Sequence, residues 1–540
     1  MRSFLRYPIL CIAALGAALG CSPARPPVAA PDTTSIDAAD ARVREGCYAC
    51  LLDARSRYDD LVRTRSWPTL VRRRFEVELL IAMRERELGL DPAAALASAA
   101  EIARDLPAAL SAERYLAAVE SLPHDRQGWP RSELSAFRRA KGMTPERARD
   151  EAAWIRQGPL AGPVGLYLAS ALECAHDPRP RAASTPAAGR PPDAAESDAE
   201  ADDTPPIVRY RAATCGVPDR RALEALRASI PEFVETSFYL GQIAVATIAE
   251  GGTGNPHALV AEVLERFPAS PAVTFLGAAL QHAVMDWTQA LALYDRTLAL
   301  KPGHEEAWAG RMISLTELGR HEEAIDAATR MIDLRLDNVD RAFYWRAYNH
   351  HARGELAAAR ADIEDAKRRR RSEEILTLAG IVAHDQDDLD PAGRDLAEAR
   401  RMGQGANCRA DWYLGSVLVK QRQWKDAAPT FEAAMTCYAA DVKDRERAIR
   451  MLEAKPDVDP VFKKSRIARL QFEIELQRHQ HLAAAFNAAN GFAQSGELEK
   501  AGRLIDVAAA DPDLGDEIDE LRRHMTAVAA ARRSGRLVTQ

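Results

Sequence analysis

The sequence predicts an all-α chain, an α-solenoid of stacked antiparallel helical hairpins interrupted by a disordered insert. Three observations lead there. Hydrophobic residues make up 47% of the 540 residues and aromatics only 6%; much of the apolar content is alanine, a strong helix former whose small side chain lets helices approach closely. No long alternating run of Val, Ile and Thr argues for a sheet. From residue 271 onward the chain repeats itself every 33–35 residues, and such an array grows by adding units rather than by enlarging one core. Without that device a chain of this length divides into roughly three or four domains.

Taken in order, the chain opens with Arg2 and Arg6 and then an apolar stretch, Pro8 to Leu19. A helix of about twelve residues spans ~18 Å, short of a ~30 Å hydrocarbon core. Residues 1–20 therefore read as a secretory signal rather than a permanent span. The stretch ends Ala18-Leu19-Gly20-Cys21, which resembles the lipobox of bacterial lipoproteins, with Ala18 where that motif usually has Leu. The resemblance implies that Cys21 is lipidated and anchors the mature chain in the cell envelope. Ser22 after it implies the outer membrane, facing the periplasm. A plain signal peptide with an incidental cysteine is the alternative. Residues 21–44, rich in Pro, Ala and Asp, read as a disordered tether.

Net charge is −7, and loss of Arg2 and Arg6 makes it more negative, so the chain has no general attraction for nucleic acid. The basic run Lys367 to Arg371 falls at an expected helix end, where cations complement the dipole. An acidic partner or a lipid headgroup is its second reading.

The repeat units are assigned starts at 271, 305, 340, 373 and 408, with a further unit near 482. Trp308, Gly319 and Ala324 mark the second unit; Gly354, Ala359 and Ala366 the third; Gly380, Ala392 and Ala399 the fourth. Gly415, Trp424, Ala427, Phe431 and Ala434 mark the fifth, and Gly496, Ala501 and Ala508 the last; Tyr294 and Pro302 close the first. This spacing and its small-residue signature resemble the tetratricopeptide repeat, a helix–turn–helix of about 34 residues. Small residues at the eighth and twentieth positions let the paired helices touch, and glycine near the fifteenth permits the turn. One hairpin cannot bury its own apolar face, so units must stack.

The rest of the chain follows from those anchors. Residues 45–175 read as degenerate helical hairpins: half a hairpin at 45–65, one from Phe75 to Leu106 with Gly89 at its turn, and helices of unassigned register over 108–160. Residues 176–214 read as the Pro/Ala/Asp-rich insert, 215–270 as a degenerate hairpin, 271–441 as the five units, and 442–540 as a helical region with one further unit and a capping helix. Six cysteines remain after Cys11 and Cys21, an even number that suits disulfides in an exported protein. Cys174 and Cys215 flank the insert, and Cys408 and Cys437 sit at the same end of the fifth hairpin.

Cys47 and Cys50 form a Cys-x-x-Cys pair, read first as a structural disulfide or buried thiols, then as a thiol-redox pair, and last as half a zinc site that lacks its other half. Asp385, Asp387, Asp388 and Asp390 lack the glycine and glutamate of a calcium loop and read as a solvated turn. Gly251, Gly252 and Gly254 have no Lys-Ser/Thr after them and read as a flexible turn. His282, His351 and His384 all fall at position 12 of their units; a pH-sensing or ligand-facing row is weighed against ordinary histidines. There is no GxSxG and no HExxH, so the expectation is a chain without catalytic residues, cofactor or metal.

The resemblance to tetratricopeptide proteins implies that the first helices line a groove for protein or peptide partners. Phe275, Arg341, Tyr344, Tyr348, Thr377, Arg409, Trp412 and Lys420 stand at the corresponding positions, with His351 and His384 nearby. Tyr344 and Tyr348 replace the Lys and Asn with which one subset of the family grips C-terminal carboxylates. The function so implied is an envelope scaffold; a periplasmic thiol-redox protein and a ligand- or pH-sensing protein are the alternatives.

Overall fold

The computed structural model describes residues 33–64, 67–123, 137, 140–176, 204–215, 217–249, 255–404 and 406–533. The leader, Cys21, the acidic run Asp193 to Asp203 and the glycines at 251–254 lie outside them. Among the described residues the regular structure is helical, with no strand, and no helix is long and apolar enough to cross a membrane.

Among the described residues eleven α-helices precede the regular array: α1 (Thr33–Glu45), α2 (Tyr48–Thr64), α3 (Pro68–Glu87), α4 (Ala93–Ala103), α5 (Ala112–Glu120), α6 (Pro145–Gln157), α7 (Pro163–His176), α8 (Pro206–Thr214), α9 (Arg220–Ser229), α10 (Glu235–Ala246) and α11 (Pro256–Arg266). One apolar core runs from Ile36 to Leu259 through all of them. At its centre lies a buried ion pair. Arg84 donates from Nη2 to Glu235 Oε1 at 2.6 Å and from Nη1 to Glu87 at 2.5 Å, and its guanidinium lies 4.1 Å over the Tyr210 ring. Glu235 Oε1 also accepts the Tyr48 amide at 2.6 Å. One carboxylate thus joins α2, α3 and α10, and a buried charge held in this way is satisfied rather than stranded.

Three sequence expectations are corrected here. Residues 33–44, read as tether, belong to α1, because Ile36, Ala39 and Val43 share a face and pack on the core, while Asp40 takes Arg73 at 2.8 Å and the Tyr58 hydroxyl. The end of the insert, residues 206–214, is α8: Ile207 and Tyr210 are buried, and Tyr210 stacks on Phe233 at 4.7 Å. Cys215 therefore closes a helix. Residues 45–65 are also more than half a hairpin, since α1 supplies the missing arm.

The array follows as hairpins α12/α13 (Pro271–Ala283, Trp287–Leu300), α14/α15 (Glu305–Glu317, His321–Asp333), α16/α17 (Val339–Ala352, Leu356–Arg369), α18/α19 (Glu373–Asp385, Leu389–Met402) and α20/α21 (Cys408–Lys420, Trp424–Ala454). First helices begin where the repeat period puts them. Side-chain caps fix the starts of several: Ser270, Ser372 and Asn407 each accept the amide three residues on. Ala324, Ala359, Ala392 and Ala427, all at position twenty, are fully buried. At position eight a Cβ on Gly380 would stand 2.4 Å from Leu396 Cγ, so the hairpin closes only over glycine. Position fifteen is left-handed in every unit, yet only Gly319 and Gly354 among the five are glycine; Met285, Asp387 and Arg422 hold φ of 63°, 59° and 60°.

The C-terminal region departs furthest from expectation. The boundary near 441 does not exist: α21 runs for 31 residues to Ala454, and α22 (Pro460–Ser495) returns for 36 residues. The segment Asp441 to Lys455 is made of strong helix formers with no breaker, so nothing stops the helix before Pro456 and Pro460. Arg445–Glu473 at 3.1 Å and Arg478–Glu446 at 2.9 Å pin the two arms together. Helix α23 (Leu498–Ala508) and α24 (Gly515–Arg533) then cap the end. The long hairpin stretches back along the array. Val458 and Phe462 at its tip join the apolar cluster of Phe238, Val263, Leu276 and Val284, and Arg469 reaches Glu317 at 3.1 Å.

Three cysteine pairs are bridged: Cys47–Cys50, Cys174–Cys215 and Cys408–Cys437, with Cα separations of 4.9, 5.7 and 5.4 Å, inside the range a disulfide spans.

Candidate functional site

First helices of successive units pack against one another more closely than second helices do, so they line the inner curve of the array. The residues expected there divide into three groups.

The first group belongs to units three and five. Arg341 on α16 and Arg409 on α20 are exposed, and neither side chain has a carboxylate or hydrogen-bond partner among the described residues. Tyr344 and Tyr348 stand one and two turns beyond Arg341, half-buried, each in edge contact with Trp345 at 5.5 and 5.6 Å. Burial pushes the Tyr344 phenol up while Arg409 pulls it down, which places the Arg409 charge within reach of that ring. Two unpaired guanidiniums flanking two tyrosines are the composition of a protein-binding patch, where Arg and Tyr carry much of the energy.

The second group is spent on contacts between units. His351 Nε2 and His384 Nδ1 meet the two oxygens of Asp385 at 2.7 and 2.8 Å. Burial raises the Asp385 carboxyl, but these two hydrogen bonds outweigh it and hold the group below the ordinary carboxylate range. Lys420 Nζ donates to the His384 carbonyl at 3.2 Å and to Asp387 at 3.1 Å, and Arg360 takes Asp388 at 3.2 Å. The acidic turn is therefore a staple joining units three, four and five. His282 stands apart, against Trp287 at 4.9 Å, with its imidazole pushed down by burial and by Arg341.

The third group packs. Trp412 lies 5.5 Å from Phe431, between the fifth unit and α22. Phe275 rests on His304 at 4.6 Å, and Thr377 is buried against Asn407 at 2.8 Å. The basic run is likewise spent: Lys367 pairs with Asp395 at 2.7 Å and Arg371 with Glu398 at 2.6 Å.

The long hairpin supplies residues that the repeat period does not reveal. On α22, Arg469, Phe472 and Leu476 fall at i, i+3 and i+7 and share one face. Arg469 reaches the end of the second unit's first helix. Phe472 and Leu476 are 64% and 49% exposed, and no hydrogen bond or ion pair among the described residues joins α22 to the third or fourth unit. Phe472 and Leu476 thus form an exposed apolar strip on the hairpin. The signal was in the sequence as two large apolar residues on an otherwise charged helical face.

Cys47 and Cys50 lie at the start of α2, both fully buried, with the Cys50 amide donating to Cys47 Sγ at 2.9 Å. Glu232 is the third group near enough to complete a ligand set, but the sulfurs are joined to each other. Burial removes the access that thiol exchange needs.

The chain matches no known protein family, and no curated protein resembles it in sequence. Among solved structures it is similar to YrrB, a TPR protein with an unusual peptide-binding site, at 15% identity over 50% of this chain and 97% of that one, TM-score 0.24. It is also similar to the APC/C hetero-tetramer Cut9–Hcn1, at 13% identity over 84% and 93%, TM-score 0.35. The third is Naa15/Naa10 bound to HypK-THB, at 14% identity over 61% and 59%, TM-score 0.26. At such scores the likeness says nothing of what this chain binds.

Proposed function

We propose that the chain is a lipid-anchored scaffold of the cell envelope, tethered through Cys21 on the periplasmic side of the outer membrane, that holds a protein partner against the inner curve of its array. The observation that carries the reading is the patch of Arg341, Tyr344, Tyr348 and Arg409, whose two guanidiniums are unspent inside the chain, while His351, His384 and Lys420 are used in polar contacts and Phe275, Thr377 and Trp412 in packing. Its chemistry asks for a segment that brings carboxylates to the two guanidiniums and apolar side chains to the tyrosines. The envelope setting rests on the leader and on Ala18-Leu19-Gly20-Cys21; the three bridged cysteine pairs suit an oxidising compartment.

The test uses the chain from Ser22 onward, made in an oxidising compartment, to capture partners from a detergent-solubilised envelope extract, with mass spectrometry to identify them. A parallel sample carries Arg341→Ala, Tyr344→Ala, Tyr348→Ala and Arg409→Ala. A partner retained by the first and lost by the second, at equal helicity, supports the scaffold. A partner indifferent to those changes sinks the groove. Membrane partition of the full-length chain against Cys21→Ser tests the anchor separately.

A further inference from the structure

Away from the array, a cavity of about 240 Å³ opens between α3, α7, α8 and α10. Its walls are mostly apolar, with Tyr167, Phe238 and Leu122 among them. Of its polar lining residues, Glu87 is spent on Arg84 and Arg211 and the Thr214 hydroxyl on the Arg211 carbonyl, whereas three keep a buried N–H without an acceptor: Arg86 Nε, Arg211 Nε and Gln242 Nε2. All three orphans are donors, and no lining side chain leaves a buried acceptor unpaired. Arg211 is itself 95% buried, its relative exposure being 5%.

The charges around the cavity do not balance. Arg84 pairs with Glu235 and Glu87, and Arg211 shares Glu87 at 2.7 Å. Arg86 donates only to the Leu122 carbonyl, at 2.8 Å, and has no carboxylate within ion-pair distance among the described residues. Glu120 acts on it from further off and stands nearer to Lys141, at 3.9 Å. Burial lowers the Arg86 guanidinium from its usual value, the mark of a cation whose desolvation is not offset. A buried charge without a partner is costly, and a cluster of donors facing an apolar chamber is complementary to an anion with an apolar body.

We propose that this cavity binds a small amphiphilic monocarboxylate. The carboxylate accepts from Arg86, Arg211 and Gln242, its two oxygens having lone pairs enough for all three. The apolar body lies against Tyr167, Phe238 and Leu122. The space equals the share of about eight liquid waters, below the range of drug-sized ligands, so the body is short. This site is independent of the partner face on the array.

Isothermal titration of the purified chain with sodium octanoate tests it, with octanol (tail without charge) and acetate (charge without tail) as comparisons. Octanoate saturates one site, and the other two bind at least about tenfold more weakly, the usual scale of one charge-assisted hydrogen bond. Arg86→Met loses octanoate by about tenfold or more without a lower thermal midpoint, because an apolar side chain replaces a half-buried charge that has no carboxylate partner. Arg86→Lys, which keeps the charge and loses the fork, falls between. No saturation by octanoate in the millimolar range means a water-filled cavity and overturns the proposal. Equal binding of octanol, or Arg86→Met binding like the parent, overturns it as well. Should Arg86→Met fail to fold, Arg86→Lys decides: undiminished octanoate binding with octanol equally tight refutes the carboxylate site.

Discussion

Phe462→Ala should release the tip of the long hairpin and leave the array intact. Phe462 is 8% exposed, in a cluster with Val458 of its own hairpin and Val273, Leu276, Leu280 and Val284 of the array's first unit. Truncating a buried phenylalanine costs about 3–5 kcal/mol; at a docked tip, able to relax, about 3 kcal/mol is the fitting end. The other ties are weaker. Arg469–Glu317 has side chains 39% and 27% exposed and, as a surface pair, contributes about 0–1 kcal/mol. His257–Asp459 at 3.3 Å is half-exposed on the histidine side. A loss of about 3 kcal/mol raises the open population about a hundredfold. Hydrogen exchange read by mass spectrometry is the assay. Peptides over 452–470 and 257–289 should exchange about a hundredfold faster, with 373–420 unchanged, whereas Arg469→Ala shifts the same peptides less than about tenfold. Uniform acceleration along the chain would refute the reasoning, since it would make the tip part of one cooperative core; no acceleration at all would remove the docking contact itself.

Gly354→Ala, at φ +75° with open space around it, should lose about 1 kcal/mol, while Arg422→Gly, at φ +60° and exposed, should gain up to about 1 kcal/mol; urea midpoints of like sign for both would contradict a shared left-handed turn. His304 caps α14, its Nδ1 accepting from the Ala307 amide at 3.3 Å, and burial with Lys301 pushes its imidazole down to about 3. The folded state then holds the neutral ring, so its contribution is complete above about 6.5 and falls away as pH drops from there toward about 3, by up to ~1.4 kcal/mol per unit. His304→Ser keeps a cap and should flatten that part of the stability–pH curve. Replacing Cys408 and Cys437 together by serine opens a loop with a sequence separation of 29 and should cost about 3.5 kcal/mol in the chain-entropy account, seen as a lower denaturation midpoint that reductant shifts less than it shifts the parent's, the other two bridges still being present.

The array was legible because its signals are local. A small residue at position twenty or eight is needed to let two helices of one hairpin touch, whatever surrounds them, so Ala392 and Gly380 can be read without knowing the superhelix. What the period could not tell was how residues from different units meet. His351, His384 and Lys420 look like groove residues at their positions, yet they converge on Asp385 and Asp387 because neighbouring units lie one helix width apart. Trp412 is claimed within its own unit, by Phe431 of the paired helix. Position fifteen was read as a place for glycine, but Met285, Asp387 and Arg422 show that the turn is imposed by the paired helices even where the residue resists it. The missed helices α1 and α8 lie in Pro- and Asp-rich surroundings, and their apolar faces are too narrow to stand out from composition. The long hairpin was hidden because its helices obey the repeat at their bases and simply continue past it.

That hairpin changes what the array can do as a spring. A plain stack of hairpins is joined only from neighbour to neighbour, and small rotations at each joint can alter its pitch. Here the chain leaves the fifth unit and is fastened to the first by Phe462 and Val458, with a further tie from Arg469 to Glu317 of the second. An array strapped in this way cannot uncoil freely: a change of pitch has to shear the tip out of its apolar seat, so one contact limits how far the first and fifth units can move apart.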